Sequence, residues 1–252
     1  MRTHLAHQNL LCWLVLLLGP TVGSGHQHQR TQRPITAPRV FLDKKPRIVW
    51  YQLDRLSNER LLLVKRNTSD SKYAPVYMAI LTRGGMSRQY REEALASLTR
   101  LRKSNPASQL LAAFNRLDKK EDRQQERTSR QLAALLLARP AAELAERAET
   151  LGAATQSPNP RLRAVGYAAL LAAGQAAAAQ QLATASPRAT EDWLAGIQLL
   201  PQKTLRQHQL SAITRLLAPT QPPAVRRAAI TTLSSVPPLG TETFRLLSPF
   251  VD

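Results

Sequence analysis

Three stretches of the chain can be laid over one another without a gap: Tyr90 to Leu98, Leu162 to Leu170 and Val225 to Leu233. In each, an apolar residue precedes an arginine (Arg91, Arg163, Arg226) and a small residue follows three places later (Ala94, Gly166, Ala229). A second bulky residue comes next (Leu95, Tyr167, Ile230), and a leucine closes the pattern three places beyond it (Leu98, Leu170, Leu233). Bulky positions five and eight after the first apolar residue fall on one broad helix face, and the small residue lets a neighbouring backbone come close. The arginine sits beside that face, where its stem can pack while its guanidinium reaches an acidic side chain or the carboxyl end of a neighbouring helix. Its expected role is therefore structural. The arginines stand 72 and 63 residues apart, close to two periods each of a helical repeat of about 40 residues or a little less.

The punctuation of the chain agrees with such an array. Pro or Gly interrupts the helical pattern at Gly84-Gly85, Asn105-Pro106, Arg139-Pro140, Ser157 to Pro160, Gly174, Ser186-Pro187, Pro201, Pro222-Pro223 and Pro237-Pro238, and most intervals are the length of one repeat helix. No stretch alternates apolar and polar residues with the β-branched enrichment of a strand. Aromatic residues make up only 5% of the chain, which suits close-packed helices better than a wide β core. The fold class expected is all-α, a right-handed α–α superhelix built from residue 40 onward.

The segment before it reads differently. Arg2 and two histidines precede the apolar run Leu10 to Leu18, and small residues follow at Val22 to Gly25. This is the layout of a secretory signal occupying residues 1–25, with an uncleaved membrane anchor as the alternative, although the apolar run is too short for a comfortable membrane span. Residues 26–39, rich in Gln, His, Arg, Thr and Pro, read as a disordered basic linker. The single cysteine, Cys12, lies inside the signal, so the mature chain has no thiol for a disulfide, a zinc thiolate site or covalent haem attachment. An exported chain of the periplasm or cell envelope is expected.

The repeat pattern resembles the HEAT family, including the short HEAT-like repeats of phycobilin lyases. A closer resemblance is carried by Arg47 to Leu56 and Pro75 to Met86, which look like the N-terminal HEAT region of large exported planctomycete proteins that continue into a c-type cytochrome. The resemblance implies a protein-binding scaffold, not an enzyme, whose partner is an acidic protein or a redox domain. A second implication, from the lyase-type repeats, is a groove for a tetrapyrrole such as haem or bilin. The chain lacks the haem-attachment motif, so electron transfer does not carry over, and no cofactor is expected. The amphipathic stretch Thr241 to Val251 has no partner helix after it, which suggests that the array continues or that this end docks onto something.

Charge narrows the partners. The formal net charge is +18, and the excess is concentrated before residue 140, which points to an acidic partner. Export makes nucleic acid the least expected, while an acidic protein or peripheral contact with an anionic membrane remain. Arg55, Arg60, Lys65, Arg66, Arg83 and Arg88 are the candidate basic face, continued by Arg91, Arg100, Arg102 and Lys103. Trp50, Tyr51, Tyr73 and Tyr77 read as core first and as binding anchors second.

Catalytic chemistry finds little support. Asp118, Glu121, Asp122 and Glu126 interleave with Lys119, Lys120, Arg123 and Arg127 as an ion-paired, solvated stretch. Gly84-Gly85 lacks the Lys-Ser/Thr of a phosphate loop, and no nucleophile elbow surrounds any serine. His26 and His28 could bind copper or nickel beside a free amine, but His208 is isolated and no metal site is expected. Asn67-Thr68-Ser69 fits a glycosylation sequon.

Overall fold

In the computed structural model, the described residues are 36–117 and 123–237. The expected signal, most of the linker, the acidic–basic run 118–122 and the stretch Thr241 to Val251 lie outside them. Among the described residues every regular element is a helix. The first group is α1 (Pro46–Asp54), α2 (Asn58–Leu62), a 3-10 turn (Ser71–Tyr73), α3 (Ala74–Thr82), α4 (Arg88–Leu101), α5 (Pro106–Arg116) and α6 (Arg123–Leu137). There follow α7 (Ala141–Ala145), α8 (Ala148–Ala154), α9 (Pro160–Ala172), α10 (Ala176–Ala183), α11 (Pro187–Leu199), α12 (Lys203–Gln207), α13 (Leu210–Arg215) and α14 (Pro223–Leu233).

The helices begin where backbone chemistry favours a start. Ser57, Ser87, Asn105, Asn159 and Ser186 occupy N-cap positions, and each side chain accepts a hydrogen bond from a backbone N–H of the first turn. Such a cap contributes about 1 kcal/mol over alanine. A proline follows directly at Pro106, Pro160 and Pro187, where its missing N–H costs nothing and its fixed φ is already helical. Two connections expected to be single helices are each broken into two short ones, α7 with α8 and α12 with α13. Neither break carries Pro or Gly, so nothing in the composition marks it.

Neighbouring helices pack against one another. The α9 helix lies against α8 on one side and α11 on the other, α11 in turn packs on α14, and α10 and α13 follow α9 and precede α14 as shorter partners. Toward the amino-terminal side α3 packs on α4, and α5 and α6 bring that group against α9. Every residue from Leu162 to Leu171 is buried, as for a helix enclosed on all sides. Leu53, Leu61, Leu98, Leu110, Leu136, Tyr167, Leu194 and Ile197 are among the fully buried side chains of one continuous core.

This packing requires small residues at its closest approaches. A Cβ added to Gly196 on α11 would sit 2.7 Å from the Ala164 carbonyl oxygen and 2.9 Å from the Tyr167 Cβ on α9. One added to Gly166 would lie 3.0 Å from both Leu151 O and Thr155 N on the α8 side. Most of these obstacles are backbone atoms, which cannot rotate away. Gly152, also helical, has its nearest neighbour, a leucine methyl, at 3.9 Å. The two glycines therefore separate packing from helix propensity. Gly196→Ala should lower stability by about 1–3 kcal/mol through overpacking, whereas Gly152→Ala should be neutral or stabilising by up to about 1 kcal/mol. Urea midpoints at unchanged slope report the difference.

Candidate functional site

The three repeat arginines fall at the same helix position, the fourth residue after the N-cap, on α4, α9 and α14. Arg91 is wholly buried. Its Nη1 donates to the Leu81 carbonyl oxygen and its Nη2 to that of Arg83 at 2.6 Å, so both bonds go to the carboxyl end of α3. That end carries unpaired carbonyls and the negative pole of the helix dipole. Burial pulls the guanidinium down to about 10, which leaves it charged at neutral pH. Because the folded group holds its proton less tightly than the unfolded one, stability would change only above about pH 10, rising with pH there.

Arg163 takes the same position on α9 with a wider reach. Its Nη1 donates to Ser157 O at 3.0 Å and Pro158 O at 3.3 Å in the turn after α8. Its Nε and Nη2 donate to the two carboxylate oxygens of Asp192 on α11, at 2.5 and 3.2 Å. The pair is bidentate, with side chains only 9% and 12% exposed. The adjacent Tyr167 phenol is raised in pKa, chiefly by burial.

The helix between α9 and α14, α11, was invisible to the motif because its equivalent residues differ. Thr190 replaces the arginine and Trp193 the small residue, while Leu194 and Ile197 keep the two bulky positions. The Thr190 hydroxyl donates to the Ala183 carbonyl oxygen at 2.8 Å, a neutral version of the same contact with the preceding helix. On α14, Arg226 is half-buried, and its Nε has no hydrogen-bond partner among the described residues. The other motif positions, Ala94, Leu98, Gly166, Leu170, Ala229 and Leu233, are all buried.

The candidate basic face divides. Arg55, Arg60, Lys65, Arg66 and Arg88 are exposed. Arg55 lies over the Tyr51 ring at 4.7 Å, Arg66 donates to Leu62 O at 3.2 Å and Arg88 pairs with Glu92 at 2.7 Å. Arg83 turns inward, donating to Leu56 O at 2.8 Å and Leu53 O at 2.7 Å, and so closes the end of α1 as Arg91 closes α3. Arg116 stacks on Trp50 at 3.7 Å and pairs with Asp54 at 3.2 Å, tying α5 to α1. Tyr77 is buried and Tyr51 exposed, with Trp50 and Tyr73 between.

Two clefts adjoin these residues. One of about 600 Å³ is lined by Asp54, Thr82, Arg83, Gly84, Arg116 and Leu117, a largely polar surface. A second, of about 410 Å³, is lined by Arg39, Phe41, Val64, Lys65, Lys72 and Tyr73, among others. No group of three or more His, Cys, Asp or Glu among the described residues is placed to hold a metal ion, and no helix among them is long and apolar enough to cross a membrane. No family model, curated protein or solved structure matches the chain.

If the buried guanidinium satisfies α3, then Arg91→Met, of similar length but without donors, should destabilise the protein by about 2 kcal/mol. Two carbonyls would be left unpaired, outweighing the relief of burying no charge. Arg91→Lys, whose single ammonium lacks the planar fork, should recover only part of the loss. Thermal and urea unfolding at pH 7 measure both.

Proposed function

We propose that this chain is an exported helical scaffold of the HEAT type, a right-handed superhelical array without catalytic residues that docks an acidic protein at the outer face of α14. One observation carries the reading: among the described residues, α14 shares the motif positions of α9 and α11 but not all of their contacts. Tyr167 on α9 and Leu194 on α11 are fully buried, whereas Ile230, at the same motif position on α14, is 49% exposed. Where Arg163 meets Asp192 of α11, the Arg226 Nε meets no acceptor among the described residues. Exposed Arg227 adds a second positive charge one residue on.

A helix bearing Asp or Glu at the place Asp192 holds on α11 would complete both features at once. It would bury Ile230, an apolar gain of about 1–2 kcal/mol, and pair a desolvated arginine. Hydrophobic anchor and charge would then set affinity and register respectively. Half-buried Arg226 and exposed Arg227 make this surface locally positive, which favours an acidic partner.

A photo-crosslinking residue in place of Ile230, in cells that make the protein, should give a discrete higher-mass adduct, lost when Arg226→Glu is added. The same residue in place of Ala177, exposed on α10, should give none. Equal adducts at both places, no adduct at Ile230, or indifference to Arg226→Glu contradicts the reading.

A further inference from the structure

The opposite end of the described region carries a surface of different chemistry. Six large apolar side chains are exposed among the described residues, and four belong to residues 41–63: Tyr51 at 58%, Ile48 at 47%, and Phe41 and Leu63 at 43%. Phe41 is brought beside the Ile48 backbone through the Gln52 side chain. The Phe41 N–H donates to Gln52 Oε1 at 3.0 Å, and Gln52 Nε2 donates to Ile48 O at 3.2 Å, which holds the segment before α1 against that helix. The 410 Å³ cleft joins Phe41 to Val64 and Lys65 beyond α2.

The charge around these side chains is one-sided. From Arg39 to Arg66 there are eight Lys or Arg (39, 44, 45, 47, 55, 60, 65 and 66) against Asp43, Asp54 and Glu59. Asp54 is engaged by Arg116 and Asp43 by Lys44. Arg39 lies 4.8 Å from the Phe41 ring centroid and Arg55 4.7 Å from that of Tyr51, so cations and apolar anchors share the same ground. On α1 and its C-cap, Arg47, Ile48, Tyr51 and Arg55 are all exposed, and their spacing puts them on one side of the helix.

From this placement we infer that the α1 end of the protein is a peripheral membrane-binding face for anionic phospholipid. Ile48, Tyr51, Phe41 and Leu63 enter the interfacial layer, and Arg39, Lys45, Arg47 and Lys65 meet the headgroups. An acidic partner of the kind placed on α14 would cover a single apolar anchor, whereas here four large apolar side chains are exposed over residues 41–63 among the eight cations of residues 39–66. An anionic bilayer satisfies both, because shallow apolar insertion and basic attraction add. Arg39, Lys65 and Lys72 line the 410 Å³ cleft together with Asp43, so its rim carries more positive than negative charge. The face is separate from α14, so either docking surface can fail without the other.

The test is co-sedimentation of the full chain with vesicles of 30% phosphatidylglycerol in phosphatidylcholine, against phosphatidylcholine alone. Binding should appear only with the anionic vesicles and should fall steeply between 0.05 and 0.5 M salt. Ile48→Ser with Tyr51→Ser should weaken it about tenfold, and Lys45→Glu with Arg47→Glu by more. Tyr90→Ser, at an exposed position elsewhere, should leave it unchanged. All these positions are exposed, so unfolding midpoints should match the parent and the loss should report the surface alone. No binding to anionic vesicles, equal binding to neutral ones, or binding indifferent to both double variants overturns the inference. Binding to poly-glutamate without binding to vesicles overturns it as well, in favour of an acidic protein.

Discussion

Short helices joined by short turns leave an electrostatic problem at every carboxyl end, and its solution organises this protein. The last carbonyls of each helix have no partner within the helix and are drawn out of water when the next helix packs over them. Arg91, Arg163 and Thr190 each stand four residues beyond an N-cap and donate to the carbonyls of the preceding helix or of its closing turn. Arg83 does the same for α1 from the opposite direction. Arginine suits the task because its rigid fork serves two acceptors while its stem packs as an apolar chain.

Once those ends are satisfied, the helices can approach closely enough for small residues to matter. Gly196 against Ala164 and Gly166 against Thr155 bring backbones within the width of a single methyl group. Tyr167, Leu170, Leu194 and Ile197 fill the remaining space. The Arg163–Asp192 pair then links α9 to α11, and the Thr232 hydroxyl, 3.3 Å from the Leu194 carbonyl oxygen, links α11 to α14. The α9 helix is the hub of this packing, touching α5, α6, α7, α8, α10 and α11. The proposed scaffold role rests on the other end of the set, where Ile230 of α14 is exposed.

The helical class was legible in the sequence because Pro and N-cap residues announce helix starts through local backbone chemistry alone, as at Asn105-Pro106, Asn159-Pro160 and Ser186-Pro187. The breaks between α7 and α8 and between α12 and α13 were not legible, since no residue there forbids a helix and only tertiary packing ends it. The motif found α4, α9 and α14 but passed over α11, where Thr190 and Trp193 change the chemistry while Leu194 and Ile197 preserve the packing. Asp192 could not be named beforehand, because the acid sits on a different helix 29 residues away. Arg83 read as one more surface cation. Its inward turn depends on where α1 ends in space, which charge spacing does not record, and the same is true of the apolar side chains that remain exposed around α1.

The central claim is that guanidinium groups join packed helices, and a double-mutant cycle at Arg163 and Asp192 tests it most directly. With Arg163→Met, Asp192→Asn and the double variant, the account predicts that either single change destabilises the protein by several kcal/mol. The coupling energy should be about 3 kcal/mol, close to the smaller single effect, so that the double variant stays close to the worse single one. Additive effects, with coupling near zero, would mean that the two side chains do not hold α9 to α11, and the description of the helices as a linked array would be contradicted.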